Sequence, residues 1–208
     1  MSTEDKAVAR SNELGELLRA SMADKPFNEL FAVSLDAHGF ELIGDALLDA
    51  LEQRGFTLDD FDAVGALTAA AVPMVTAVMH AAHARGREID GFVMDFVYPS
   101  IKGPSISGKR VVLLDSWLSE KSYVQTSSLV TLRNGNELSL DFSVVEHEGA
   151  QVVAIASLIG GVSGGNADTS SIKVINPVSG EDRNLPFVRA FDEDELRDST
   201  SSTAKKAN

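Results

Sequence analysis

The hydrophobic positions of this chain change period along its length. Leu42, Ile43, Ala46, Leu47, Ala50 and Leu51 recur at helical spacing and predict a helix with one buried face. Residues 62–67 (DAVGAL) then read as a short buried strand. Val72, Val75, Val78, Met79 and Ala82 form the next helical face, and Pro73 suits its first turn, where an N–H has no partner to lose. The run 92–97 (FVMDFV) predicts a second strand, and 110–114 (RVVLL) a third, apolar enough to be covered on both faces. Residues 120–133 are expected to be a helix, though one rich in Ser, Thr and Val and so of poor intrinsic propensity, with Asn134-Gly135 as its stop. Residues 137–144 (ELSLDFSV) alternate polar with apolar and predict a strand. A turn at 146–149 and a last strand over 151–159 follow.

Strand, helix, strand, strand, helix, strand implies an α/β fold, a mostly parallel sheet with helices on both faces. Ligands of such sheets sit beyond the carboxyl ends of the strands. The ends of the chain look different from the middle. Residues 1–11 are expected to be a flexible N-terminus and 12–160 the domain. GGVSGGNAD, at 160–168, has a linker composition, so 161–197 is expected to be linker and C-terminal appendage and 198–208 a disordered tail. Within the appendage, 185–191 (LPFVRAF) is apolar enough to dock on the domain or on a partner.

Composition narrows the function classes. The 208 residues suit one domain. With 31 acidic against 18 basic residues the net charge is −13, which argues against a nucleic-acid partner, since phosphates need a basic face. Zero cysteines exclude disulfides, thiolate metal sites and cysteine nucleophiles. No apolar run reaches the ~18 residues of a membrane span, and the first residues lack a signal-peptide core, so a cytoplasmic protein without membrane contact is expected. The four histidines are scattered. His80 and His83 read as a helix-terminal pair meeting the dipole, and no metal site is expected. Neither a phosphate-binding G-x-x-x-x-G-K-[ST] loop nor a G-x-S-x-G elbow occurs.

The segments 62–81 (DAVGALTAAAVPMVTAVMHA), 86–93 (GREIDGFV), Gly103-Pro104 and 108–115 (GKRVVLLD) together resemble orotate phosphoribosyltransferase, a type I phosphoribosyltransferase. The resemblance covers about residues 40–150. It implies that fold, a homodimer, and transfer of ribose phosphate from phosphoribosyl pyrophosphate (PRPP) to orotate with Mg2+. It also implies sites. The family follows its third strand with two carboxylates for the ribose hydroxyls and a Thr-Thr-Gly turn that cradles the 5′-phosphate with backbone N–H groups. Here Asp115 matches the first carboxylate and Ser116 replaces the second. Ser119 and Glu120 stand at the threonines and Lys121 at the glycine, with Ser122 next. A glutamate ~4 Å from a phosphate charge costs roughly 4 kcal/mol at a near-surface dielectric.

Three further contact regions depart from the family pattern. Asp95 and Phe96 occupy the positions of its Arg-Lys pair, and Lys102 is the one cation of a shortened loop. Thr68, Ala69 and Ala70 replace the glycine turn that faces pyrophosphate. Residues 22–34 do not reproduce the orotate-binding Ser-Ser-Gly-Lys segment. An intact core with altered contact regions implies a catalytically impaired or inactive protein with a binding or regulatory role, taking at most a phosphate-bearing nucleotide ligand. The alternative is an active enzyme. It would use Asp115 and Lys102 in catalysis, Ser116, Ser119, Lys121, Ser122, Thr68, Ala69 and Ala70 at the ligand, and Mg2+ as cofactor. A third reading is an interaction protein working through its C-terminal segment. Trp117 is either part of a refitted pocket or a partner-contact anchor, or else a plug in the space vacated by PRPP.

Overall fold

The computed structural model describes residues 3–22, 30–95, 98–119, 130–133, 137–161 and 171–204. Its helices are α1 (Thr3–Met22), α2 (Phe31–Ser34), α3 (Ala37–Gln53), α4 (Val72–Ala84), α5 (Ser143–Glu146) and α6 (Glu193–Ala204). Its strands are β1 (Ala63–Ala66), β2 (Asp90–Asp95), β3 (Ser100–Lys102), β4 (Arg110–Ser119), β5 (Val130–Arg133), β6 (Glu137–Leu140), β7 (Gln151–Gly161), β8 (Ser171–Ile175) and β9 (Asp182–Asp192). They form one sheet in the order β3-β2-β1-β4-β7-β9-β8-β6-β5. β2, β1, β4, β7 and β9 run parallel, as the alternation of strands and helices predicts. β3 turns back on β2, while β8 lies antiparallel to β9 and parallel to β6.

Two apolar layers hold the sheet. On one face α1, α3, α4 and α6 bring Leu14, Leu47, Val78 and Leu196 against Val64 and Leu114. On the other, Phe92, Val111 and Leu113 meet Leu140, Val145 and Phe187. α5, a single turn, belongs to this second layer through Val144 and Val145, so helices cover both faces. α3 begins at Asp36, whose carboxylate accepts from the N–H groups of His38 and Gly39 at 3.1 and 2.8 Å, satisfying donors the first turn leaves open. α3 then packs closely on α4 because Gly44 has no side chain: a Cβ there would lie 2.3 Å from the carbonyl oxygen of Ala77.

Several elements differ from the sequence expectation. Residues 130–133 are strand β5, hydrogen-bonded to β6, rather than the last turn of a helix, consistent with the β-branched content that made the helix weak; 120–129 lie outside the described residues. β6 stops at Leu140 instead of Val144, because Asp141 accepts from the backbone and side chain of Ser143 and from the Asn176 amide, which bends the chain into α5. The segment set apart in the sequence as an appendage supplies β8 and β9 to the same sheet. β9 pairs with β7 over Phe187–Asp192 and with β8 over Asp182–Pro186, joining the two halves. Helix covers Thr3–Met22 at one end and continues to Ala204 at the other.

Candidate functional site

The parallel strands β2, β1 and β4 point their carboxyl ends at one edge of the molecule, where α/β sheets bind ligands. Two of the expected site regions arrive there. β1 runs into a 3-10 turn over Ala69–Ala71, with Thr68 extended before it. Thr68 is half-buried, Ala69 exposed and Ala70 buried. The Thr68 hydroxyl donates to Oδ1 of Asp115 at 2.9 Å, so the two regions meet directly. The Ser116 N–H donates to the same oxygen at 2.7 Å. Oδ2 of Asp115 is buried without a hydrogen-bond partner. Burial therefore raises the Asp115 pKa to about 6, against the pull of the Thr68 and Ser116 hydrogen bonds.

Beyond Asp115 the chain does not turn. β4 continues to Ser119 and stays paired with β7, Trp117 opposite Ile159, Leu118 opposite Gly160 and Ser119 opposite Gly161. Ser116 and Ser119 are both buried within it. The side chains explain the extension. Val112, Leu114 and Trp117 enter the helical layer, and Val111, Leu113 and Leu118 enter the other, so both faces of the strand are apolar past the point where a loop was expected. The alternation slips by one residue across Asp115 and Ser116.

Trp117 is 1 % exposed. Its Nε1–H donates to Oε2 of Glu193 at 3.2 Å, and the Arg197 guanidinium donates to Oε1 of that glutamate at 2.9 Å. Arg197 also lies over the indole, 5.3 Å from its centroid. Glu193, itself 1 % exposed, belongs to the acidic run 192–195, which reads in sequence as a solvated face or a helix start; it does start α6, but sequence reasoning missed that Glu193 turns inward. So too Ser157, which pairs in register with Asp115 and has a buried hydroxyl without a partner. Only an alternation carried through β7 signals that Ser157 faces the sheet interior.

Lys102 does not join this group. It stands on β3 in register with Val93, Ala66 and Leu114. β2 and β1 lie between β3 and β4, a separation of about 14 Å at ordinary strand spacing. Its ammonium is exposed and pairs with Asp95 at 3.7 Å. Asp95 also accepts from the Tyr98 N–H at 3.2 Å, which shapes the β2–β3 turn. Lys121 and Ser122 lie outside the described residues.

Among the described residues the donors at this edge do not fit Mg2+. Asp115 is the one carboxylate of 115–119, and its unpaired oxygen is sealed from solvent, whereas this ion keeps several waters. Among the described residues no three His, Asp or Glu side chains gather as metal ligands. A groove of about 530 Å3 opens elsewhere, between α1, α3 and β9, lined by Ser11, Asp49, Arg54 and Arg189 among others. None of the expected PRPP contacts borders it. No helix among the described residues is long and apolar enough to cross a membrane.

The sheet order, the two covered faces and the convergence of β1 and β4 on one edge define a type I phosphoribosyltransferase fold. Solved structures agree. A phosphoribosyltransferase from Corynebacterium diphtheriae superimposes with a TM-score of 0.57 at 25% identity, over 90% of this chain and 98% of that one. Mycobacterium tuberculosis orotate phosphoribosyltransferase in complex with inorganic phosphate gives 0.58 at 24%, over 90% of each chain. In sequence, orotate phosphoribosyltransferase of Streptomyces avermitilis is 30% identical over 199 residues, 92% of this chain and 91% of the relative. That of Streptomyces coelicolor is 28% identical over the same shares. No family model matches the chain. The chain belongs to the orotate phosphoribosyltransferase family.

Proposed function

We propose that this chain is a catalytically impaired member of its family, with a binding or regulatory role, acting as a homodimer. The observation that carries the reading is the course of β4. A 5′-phosphate needs several backbone N–H groups converging at a turn or helix start. In this chain β4 stays extended and paired to β7 from Asp115 to Ser119, so the carboxylate position and the first of the turn positions lie in a buried strand, with Trp117 packed in the helical layer behind it. The missing cations point the same way. Neutralising a departing pyrophosphate is an electrostatic task, and Asp95 stands at a position where the family has a cation. Lys102 is committed to that carboxylate.

The contact between Thr68 and Asp115 supports a residual binding role, because it keeps a hydroxyl and a carboxyl together at the ligand edge of the sheet. Isothermal titration of the full chain with PRPP and Mg2+ tests the proposal. The expected result is no saturable binding below millimolar ligand. Micromolar binding would overturn it. Light scattering behind size exclusion checks the homodimer, and a monomer mass would contradict that part.

A further inference from the structure

The C-terminal helix is anchored to the end of β9. Asp192 accepts from the N–H groups of Asp194 and Glu195 at 2.9 and 3.3 Å, which starts α6 directly at the end of β9. The first turn of the helix then meets the ends of β4 and β7. Leu196 enters the helical layer beside Trp117. Gly161, the last residue of β7, has no room for a side chain: a Cβ there would lie 3.0 Å from Oε2 of Glu193 and 3.0 Å from Cβ of Ser119. The end of β4, the end of β7 and the first turn of α6 therefore meet at one point.

The chemistry of that meeting point is ionic, not apolar. Burying a carboxylate costs several kcal/mol, and a paired guanidinium offsets this only when the geometry is good. A leucine in its place serves stability at least as well. In some proteins a buried ionic group fixes one arrangement against another. Here the arrangement fixed is an extended, β7-paired 115–119 against any turn that the same residues form when β4 ends earlier.

We propose that α6 is an autoinhibitory clasp, in which Glu193, gripped by Trp117 and Arg197, holds the end of β4 on β7 and keeps the ligand edge of the sheet closed. This rests on the proposed function, in which 115–122 is the altered PRPP segment and 115–119 its described part. When the clasp opens, Trp117 loses its cover and the segment is free to leave β7. Apparent affinity for a ligand that needs the open form scales with the fraction of chains that are open.

The test uses the full chain and its single tryptophan as reporter. Arg197→Ala leaves the Glu193 carboxylate buried without its cation. Acrylamide quenching of Trp117 is expected to rise at least twofold. Affinity for PRPP with Mg2+ is expected to rise about tenfold over the wild type. Unchanged quenching, or increased quenching with unchanged affinity, in a variant that still melts cooperatively overturns the clasp. If Arg197→Ala does not fold, Glu193→Gln takes its place, since it keeps the volume and the acceptor for Trp117 while removing the ion pair; the same two readouts decide. Failure of the clasp and failure of the function proposal separate cleanly. Micromolar binding by the wild type refutes the function proposal, whereas a silent wild type with equally silent folded variants refutes only the clasp.

Discussion

The hydroxyl of Thr68 donates to Oδ1 of Asp115 at 2.9 Å, tying the turn after β1 to the end of β4. The carboxyl it touches is 2 % exposed, with its other oxygen unpaired. The pair sits at the carboxyl edge of the sheet, where burial raises the Asp115 pKa.

Asp115 gives the protein a pH dependence of known sign. Its folded pKa is raised to about 6 from 3.8, so between those values the folded state binds the proton more tightly than the unfolded one. The contribution of this residue is fully present below 3.8 and is lost as pH rises through 6, a change of ~3 kcal/mol. Asp62 works in the opposite sense. Hydrogen bonds from Arg110 lower its pKa, so what it contributes is lost as pH falls through its folded pKa. Denaturant melts of wild type and Asp115→Asn from pH 4 to 8 isolate the Asp115 part. The stability of the variant relative to wild type is expected to rise with pH up to about 6 and then level off.

Removing the Thr68 donor sharpens the same test. Thr68→Val keeps the shape and deletes the strongest of the hydrogen bonds that lower the Asp115 pKa. The pH window in the Asp115 comparison should move upward in the Thr68→Val background, with little change below pH 4.

Trp117 separates packing from hydrogen bonding. Trp117→Ala removes a fully buried indole, and a loss of about 3–5 kcal/mol is expected in chemical denaturation. Trp117→Phe keeps much of the volume but takes the N–H from Oε2 of Glu193. Its expected cost is about 1–3 kcal/mol, the range for a buried polar atom left without a partner.

Gly44 reports on the helical layer. A methyl group there meets a backbone oxygen of α4, which cannot rotate away. Gly44→Ala is expected to destabilise by about 1–3 kcal/mol despite its better helix propensity, and thermal melting measures it. Asp36→Ala, at the start of the same helix, is expected to cost about 1 kcal/mol through the lost cap.

Much of the fold is legible in the residues. The helical face from Leu42 to Leu51 and the apolar runs at 63–66, 110–114 and 151–159 determine their elements locally, because burial on one face or both leaves one period that fits. The end of β4 is not legible. Asp115 and Ser116 read as a loop start, and only the partners of Trp117 and Leu118, one in each apolar layer, keep the chain extended. β9 escaped notice for a related reason. Pro186 and the glycine-rich stretch before it argue against a sheet interior, yet Pro186 sits where β9 passes from β7 to β8. The burial of Glu193 was hidden because it stands in an acidic run whose Asp194 and Glu195 are exposed and whose Asp192 is half-buried.

The proposed loss of transferase activity rests on β4 staying extended from Asp115 to Ser119, the first of the positions matched to the phosphate turn. Orotate consumption, followed by absorbance with the full chain, saturating PRPP and Mg2+, tests this most directly. The account predicts a rate indistinguishable from the protein-free blank. Turnover that disappears in Asp115→Ala would contradict it.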